Sequence, residues 1–377
     1  MPANPAPSTS NAARTRPATA RRTPAFVLGA LGVLSALLAG CGNNPPAPKT
    51  LSYELPLSER SSVSRGLHLD ASVAGGQKIG VMIDTGSTGI VIARRYIGQN
   101  YTSLNETFSN FTYSSSGNSY SGEWVRASVR LSSPQNGTTA ETVPMKIRVV
   151  DKFCNAQNEC VTDPDKIHVS MMGVGFDRID PHGTVVDPSL NPFLNLQEMA
   201  AGTMAKGYIL TPRTITLGVT AANSQNFEFV KLKPLAATAT QPADWQAPTA
   251  CIAVPTANIA PQCGPLLIDT GLNYSIVQVP EGINPPLVQD PSVATRQRVA
   301  QGQRIVITVP ELNKTLYQFT VGDASSGAPD WVVWGHNTTA HAGQSFMNTS
   351  MHTLSQLDYL YDADSGRLGF RFHAVAP

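Results

Sequence analysis

From Leu51 onward short apolar runs rich in Val, Ile, Thr and aromatic residues alternate with clusters of Gly, Pro, Asn and Ser. Branched and aromatic side chains suit a pleated surface, and the clusters between them are turn formers, so the pattern is that of an all-β protein. It predicts strands over 66–73, 78–83, 90–93, 123–131, 145–150, 214–219, 304–309 and 316–321, with one helical segment over 192–205. Two apolar runs carry an acid in their middle: GVMIDTGSTGIVI at 80–92 and GPLLIDTGLNYSIV at 264–277. Each is a strand, an Asp-Thr-Gly triplet and a second apolar strand. The glycine permits a sharp turn that presents the Asp at the tip of the strand pair. A lone buried carboxylate is costly. The repeat therefore predicts two similar β lobes, 51–234 and 235–377, that face each other and bring Asp84 and Asp269 to one interface. The Ala- and Thr-rich stretch 235–245 is the predicted hinge.

Composition adds the bounds. The chain has 377 residues, 41% hydrophobic and 14% charged, enough apolar surface for one large domain or two lobes. Four of its 27 basic residues and none of its 26 acids lie in the first 40 positions, so the remainder is net acidic and no nucleic-acid partner is expected. Those 40 residues have the form of a targeting segment: Arg14, Arg16, Arg21 and Arg22, then an apolar run from Ala25 to Leu38 that is short for a membrane span. Its end, Leu38-Ala39-Gly40-Cys41, resembles the lipobox of bacterial lipoproteins. That resemblance implies lipidation of Cys41 and removal of residues 1–40, and, with no Asp after the cysteine, retention at the outer rather than the inner membrane of a Gram-negative envelope. An ordinary signal peptide with an incidental cysteine is the alternative. Residues 41–50 read as a Pro-rich spacer, and the roughly twenty residues between Cys41 and the first strands are too few, and too poor in Lys, for an inhibitory prosegment. Apart from Cys41, the cysteines fall into two close pairs, Cys154 with Cys160 and Cys251 with Cys263. Both are expected to be disulfides in an oxidising compartment.

One Asp-Thr-Gly is a weak signal; two in the same strand context are specific. With them the chain resembles the pepsin-like aspartic proteases over nearly its whole mature length. FTYSSSGNSYSGEWVRASVRL is similar to the family's flap hairpin and offers Tyr113 as the flap tyrosine, with Tyr120 a rival in the same hairpin. Met171-Met172-Gly173 looks like the apolar pair and glycine of the first lobe, and LDYLYDADSGRLGFRF at 357–372 resembles the family's closing strands. The resemblance implies a bilobal double barrel with a central cleft for an extended polypeptide, Asp84 and Asp269 as the catalytic pair, Thr85 and Thr270 as a grip between lobes, Gly86 and Gly271 as turn residues, and Ser87 as a donor to Asp84. Two carboxylates held together share one proton, as is general for aspartic proteases, and activate a water between them, so neither metal nor organic cofactor is called for.

The chain also departs from that pattern. Leu272 stands where the second lobe usually has Ser or Thr, a lost hydroxyl that is expected to raise the apparent pKa of the pair and move any activity toward neutral pH. The second apolar-apolar-Gly is replaced by Phe346-Met347-Asn348-Thr349-Ser350, with Ser near the glycine position. These departures keep open a second reading, a pepsin-like envelope protein that binds peptide or protein without turnover. A purely structural envelope lipoprotein has no motif of its own in the chain. His336 and His341 read as solvated loop residues rather than ligands, and Trp245, Trp331 and Trp334 as packing.

Overall fold

A computed structural model describes residues 48–113, 115–178, 186–239, 241–336 and 345–374. The apolar leader, Cys41 and His341 lie outside the described residues. Those described are nearly all sheet, in a ten-stranded, a nine-stranded and a six-stranded sheet with one two-stranded ribbon.

The predicted strands are present, and their burial follows from their pattern. Leu67–Val73 alternates buried and half-buried positions, as a strand with one covered face must. Thr88–Ala93 is buried at all six positions because it lies inside the ten-stranded sheet, covered on both faces. The strand expected over 123–131 is two: Ser119–Ala127 and Val129–Ser132. Tyr101–Thr112 gave no signal, because most of its residues are polar and exposed at the sheet edge. Two register shifts kink it, which blunts an otherwise open edge.

The helical expectation over 192–205 needs correction. A 3-10 turn, Pro192–Leu194, is followed by one α-helical turn, Gln197–Ala200. Between them Leu196 is extended (φ −66°, ψ 153°), fully buried and bridged to Thr142. Burying a leucine side chain is worth about 1.5–3 kcal/mol, more than the helical propensity of a few residues. Gly202, at φ +77°, closes the segment.

The two large sheets share one device. In the ten-stranded sheet Ser170–Val174 inserts between the strands flanking the first Asp-Thr-Gly. It runs parallel to Ile79–Asp84, with Gly173 opposite Asp84, and antiparallel to Thr88–Ala93. In the nine-stranded sheet Phe346–Asn348 inserts the same way, parallel to Ile259–Leu267 and antiparallel to Ser275–Val279. Each Asp-Thr-Gly loop therefore has a third strand packed against it, brought from far along the chain.

The six-stranded sheet pairs the hairpin of Leu357–Asp362 and Arg367–Phe372 with Gly207–Leu210 and Glu228–Lys231, and so ties the end of the chain to its first half. Tyr208, Tyr359 and Tyr361 are buried there, with Phe176 stacked on Tyr361 at 4.3 Å and Phe193 edge-on to Tyr208. The ribbon of Lys233–Leu235 and Asp244–Gln246 brackets most of the stretch read as a hinge. Cys154–Cys160 and Cys251–Cys263 are disulfides, each joining residues directly opposite one another on paired antiparallel strands.

Candidate active site

The first apolar strand, Ile79–Asp84, ends on its aspartate, the second, Ile259–Leu267, stops two residues short of Asp269, and the two loops meet tip to tip. A Cβ on Gly86 would lie 2.5 Å from the Asp269 carboxyl atoms, and one on Gly271 would meet the Asp84 carboxyl at similarly close range. Only glycine allows the approach.

The threonines lock it. The Thr85 N–H donates to Thr270 Oγ1 at 3.0 Å, and the Thr270 N–H to Thr85 Oγ1 at 2.9 Å. The Thr85 hydroxyl donates onward to the Ile268 carbonyl, and the Thr270 hydroxyl to that of Ile83 at 2.8 Å. All four bonds are buried and cross between loops 185 residues apart. In this dry setting each hydroxyl is a donor and an acceptor at once, which fixes the spacing of the aspartates.

The carboxyls are nearly sealed, with 5% of Asp84 and 6% of Asp269 exposed. Oδ1 of each accepts from the N–H of its own loop glycine, Gly86 at 2.7 Å and Gly271 at 2.8 Å. Oδ2 of Asp84 accepts from the Ser87 hydroxyl. Oδ2 of Asp269 accepts from Asn348 Nδ2 at 2.6 Å. The donor missing at Leu272 is thus replaced from the inserted strand, which removes the sequence-based reason for expecting a poorly solvated Asp269. Burial, and then the neighbouring Asp269 charge, pushes the Asp84 carboxyl up to about 8, against the pull of Ser87 and Gly86. The pair is close enough to share a proton.

Ser350 occupies the position matching Gly173, at φ 64° and ψ 177°, a backbone region almost reserved for glycine. It is fully buried, and its N–H donates to Asn348 Oδ1 at 3.1 Å.

Of the two hairpin tyrosines, Tyr113 is the one that faces Asp84 and Ser87. The buried Tyr113 hydroxyl makes no hydrogen bond of ordinary geometry among the described residues, and burial, then the Asp84 charge, raises its pKa. Tyr120 packs behind it, 5.8 Å between ring centres, and against Phe153. From the other lobe the Tyr274 hydroxyl donates to the Ser115 carbonyl at the hairpin tip, 3.0 Å away. Trp331 stacks on Tyr274 at 4.8 Å, with Arg298 over the indole at 4.1 Å, so this tryptophan borders the site. Trp334 and Trp245 are packing residues whose indole N–H groups donate to Ile283 and Ala363 carbonyls. His336 ends the strand Val332–His336 half-buried, with its Nδ1 buried, and is not a solvated loop residue. Among the described residues no group of three His, Cys, Asp or Glu side chains is placed to hold a metal ion.

Sequence reading missed Asn348 and Tyr274. An amide at the end of an otherwise apolar strand, FMN, was the available signal for the first; the second lay inside the quoted repeat, at the position held by Gly89 in the first copy.

Residues 55–356 match the family described as PE-PGRS C-terminal aspartyl peptidase-like domain. Among solved structures the chain is similar to the crystal structure of an aspartic proteinase from Irpex lacteus, with a TM-score of 0.53 and 15% sequence identity over 86% of this chain and 98% of that one. At that identity the likeness is one of fold. No curated protein matches the sequence.

Proposed function

Because the chain belongs to the family of PE-PGRS C-terminal aspartyl peptidase-like domains, we propose that it is an aspartic endopeptidase that hydrolyses peptide bonds with a water activated between Asp84 and Asp269. The observation that carries this reading is the pair of buried carboxyls, each held by two donors and near enough to share one proton. With one carboxylate ionised and one protonated, the first takes a proton from water as the oxygen attacks the peptide carbonyl. The second hydrogen-bonds the developing oxyanion, and later proton transfer to nitrogen releases the amine. An extended polypeptide fits this chemistry, lying in the cleft beneath the hairpin that carries Tyr113 and held by strand-like main-chain hydrogen bonds. Retention of a proton on Asp84 supports work nearer neutral pH than in gastric relatives.

The test is cleavage of a mixed peptide library from pH 3 to 8, beside Asp84→Asn and Asp269→Asn. Cleavage lost in both variants supports the reading. A folded, disulfide-bonded chain that cuts nothing at any pH overturns it in favour of a peptide-binding protein.

The sequence supports a location for this chemistry. We propose that Cys41 is lipidated after removal of residues 1–40 and anchors the protein in a bacterial envelope, at the outer rather than the inner membrane. Incorporation of a labelled fatty acid that disappears in Cys41→Ser is the expected result; labelling that survives the substitution rules the anchor out.

A further inference from the structure

We propose that Asn348 fixes the order of protonation in the dyad, holding Asp269 as the ionised partner and leaving the shared proton on Asp84. The inference rests on the peptidase reading for its catalytic consequence, but the order itself is a property of the folded chain.

The argument is one of donor chemistry. Asn348 is buried at the end of Phe346–Asn348, between two strands that hold it in register. Its Nδ2 donates to Asp269 Oδ2 at 2.6 Å, and its Oδ1 accepts the Ser350 N–H at 3.1 Å. Turning the amide over would set oxygen against carboxylate and N–H against N–H, so only this orientation satisfies both ends. An amide N–H donates and never accepts. A proton on Asp269 Oδ2 would therefore meet a donor and lose the bond, whereas the ionised form keeps it. Asp84 has the Ser87 hydroxyl in the matching place. A hydroxyl rotates, and accepts as readily as it donates, so it serves a protonated Asp84 as well as an ionised one. The two loops are nearly superposable in role, and this difference between amide and hydroxyl breaks the symmetry.

The surroundings do not compete over the working range. Tyr113 faces Asp84 and Tyr274 faces Asp269; burial raises both phenols, so they stay neutral. Arg148 lies near Tyr113 and Arg296 near Tyr274, and a guanidinium does not titrate in proteins. His352, in the turn after Ser350, is lowered by burial and faces Asp330 rather than the dyad.

The order gives each carboxyl a task. Asp269 removes a proton from water as the water oxygen bonds to the peptide carbon, and Asp84 gives its proton to the carbonyl oxygen. In the second step Asp84 recovers a proton from the resulting gem-diol while Asp269 delivers its own to nitrogen, and the C–N bond breaks. Both carboxyls return to their starting states.

The experiment is a carbon-13 titration of the full chain labelled at the aspartate carboxyl carbons, with the two signals assigned by their loss in Asp84→Asn and Asp269→Asn. The low-pH step is expected at Asp269, with Asp84 titrating separately and higher. A first step at Asp84, or one shared equally, overturns the proposal. Asn348→Leu is expected to raise the lower step by about one to two pH units, the worth of a hydrogen bond to a charged group. Ser87→Ala leaves that step in place, and Leu272→Ser in the Asn348→Leu background restores part of it by supplying a hydroxyl from the loop. No shift in a folded Asn348→Leu overturns the assignment, and if that variant does not fold the wild-type titration still decides. Absence of peptide cleavage with the order intact defeats the peptidase reading and leaves this one standing; cleavage with the order reversed does the opposite.

Discussion

The two Asp-Thr-Gly loops solve one problem with different parts. In the first, Ser87 in the loop serves the carboxylate, and Gly173 on the inserted strand makes room, since a Cβ there would come within 2.7 Å of Ser87 Oγ. In the second, Leu272 fills the loop position, the inserted strand carries Asn348 as donor, and Ser350 replaces the glycine at a strained backbone angle. The requirement that persists is a donor at Oδ2 of each acid. Its source is free to move between loop and strand, because burial penalises an unserved carboxylate whichever element supplies the partner.

The largest effects test whether the loops are equivalent in chemistry at all. Asp84→Asn and Asp269→Asn should each lower kcat/KM by on the order of a thousandfold or more. A loss confined to one of them would break the pairing. Next come the threonines, where the lobes are alike: Thr85→Val and Thr270→Val each strand a buried N–H and a buried carbonyl, and each should cost about 2–4 kcal/mol in urea unfolding. Unequal costs would show that the grip is less symmetric than its hydrogen bonds.

A smaller effect separates the acids by pH. Because Asp84 is raised from 3.8 to about 8 by burial and by Asp269, the folded chain binds more protons there than the unfolded chain between those limits. Stability from this group therefore falls as pH rises through that window. Asp84→Asn should flatten the fall, measured as the midpoint of urea unfolding from pH 4 to 8; a slope unchanged by the substitution would contradict a raised Asp84. The smallest effect concerns the fifth residue after each aspartate, Gly89 in one lobe and Tyr274 in the other. Tyr274→Phe removes the bond to Ser115 and should speed amide exchange in the hairpin tip while changing global stability by about 1 kcal/mol or less. Unchanged exchange would mean that this contact does not restrain the hairpin.

Much of the architecture was legible because it is written in local pattern. The apolar, β-branched runs at 66–73 and 90–93 read directly as strands, and the structure adds that the first has one covered face and the second two. The edge strand Tyr101–Thr112 was illegible because an exposed strand needs no apolar residues, and the helix over 192–205 was overread because burial of Leu196 outweighs local propensity. At the site, both aspartates and both threonines could be named from the repeat and Ser87 from the family resemblance, and the structure brings them together. Asn348 could not, since its partner lies 79 residues earlier and only strand insertion brings them into contact.

The sequence by itself determined which side chains could do chemistry: two acids in apolar strands, each followed by a hydroxyl and by a glycine that admits a close neighbour. Those are local requirements of turn geometry and side-chain type, so they are visible in one dimension. The tertiary structure decided which donor reaches which oxygen and how far water is excluded, because hydrogen bonding at 2.6–2.9 Å and desolvation depend on segments that the chain order keeps far apart.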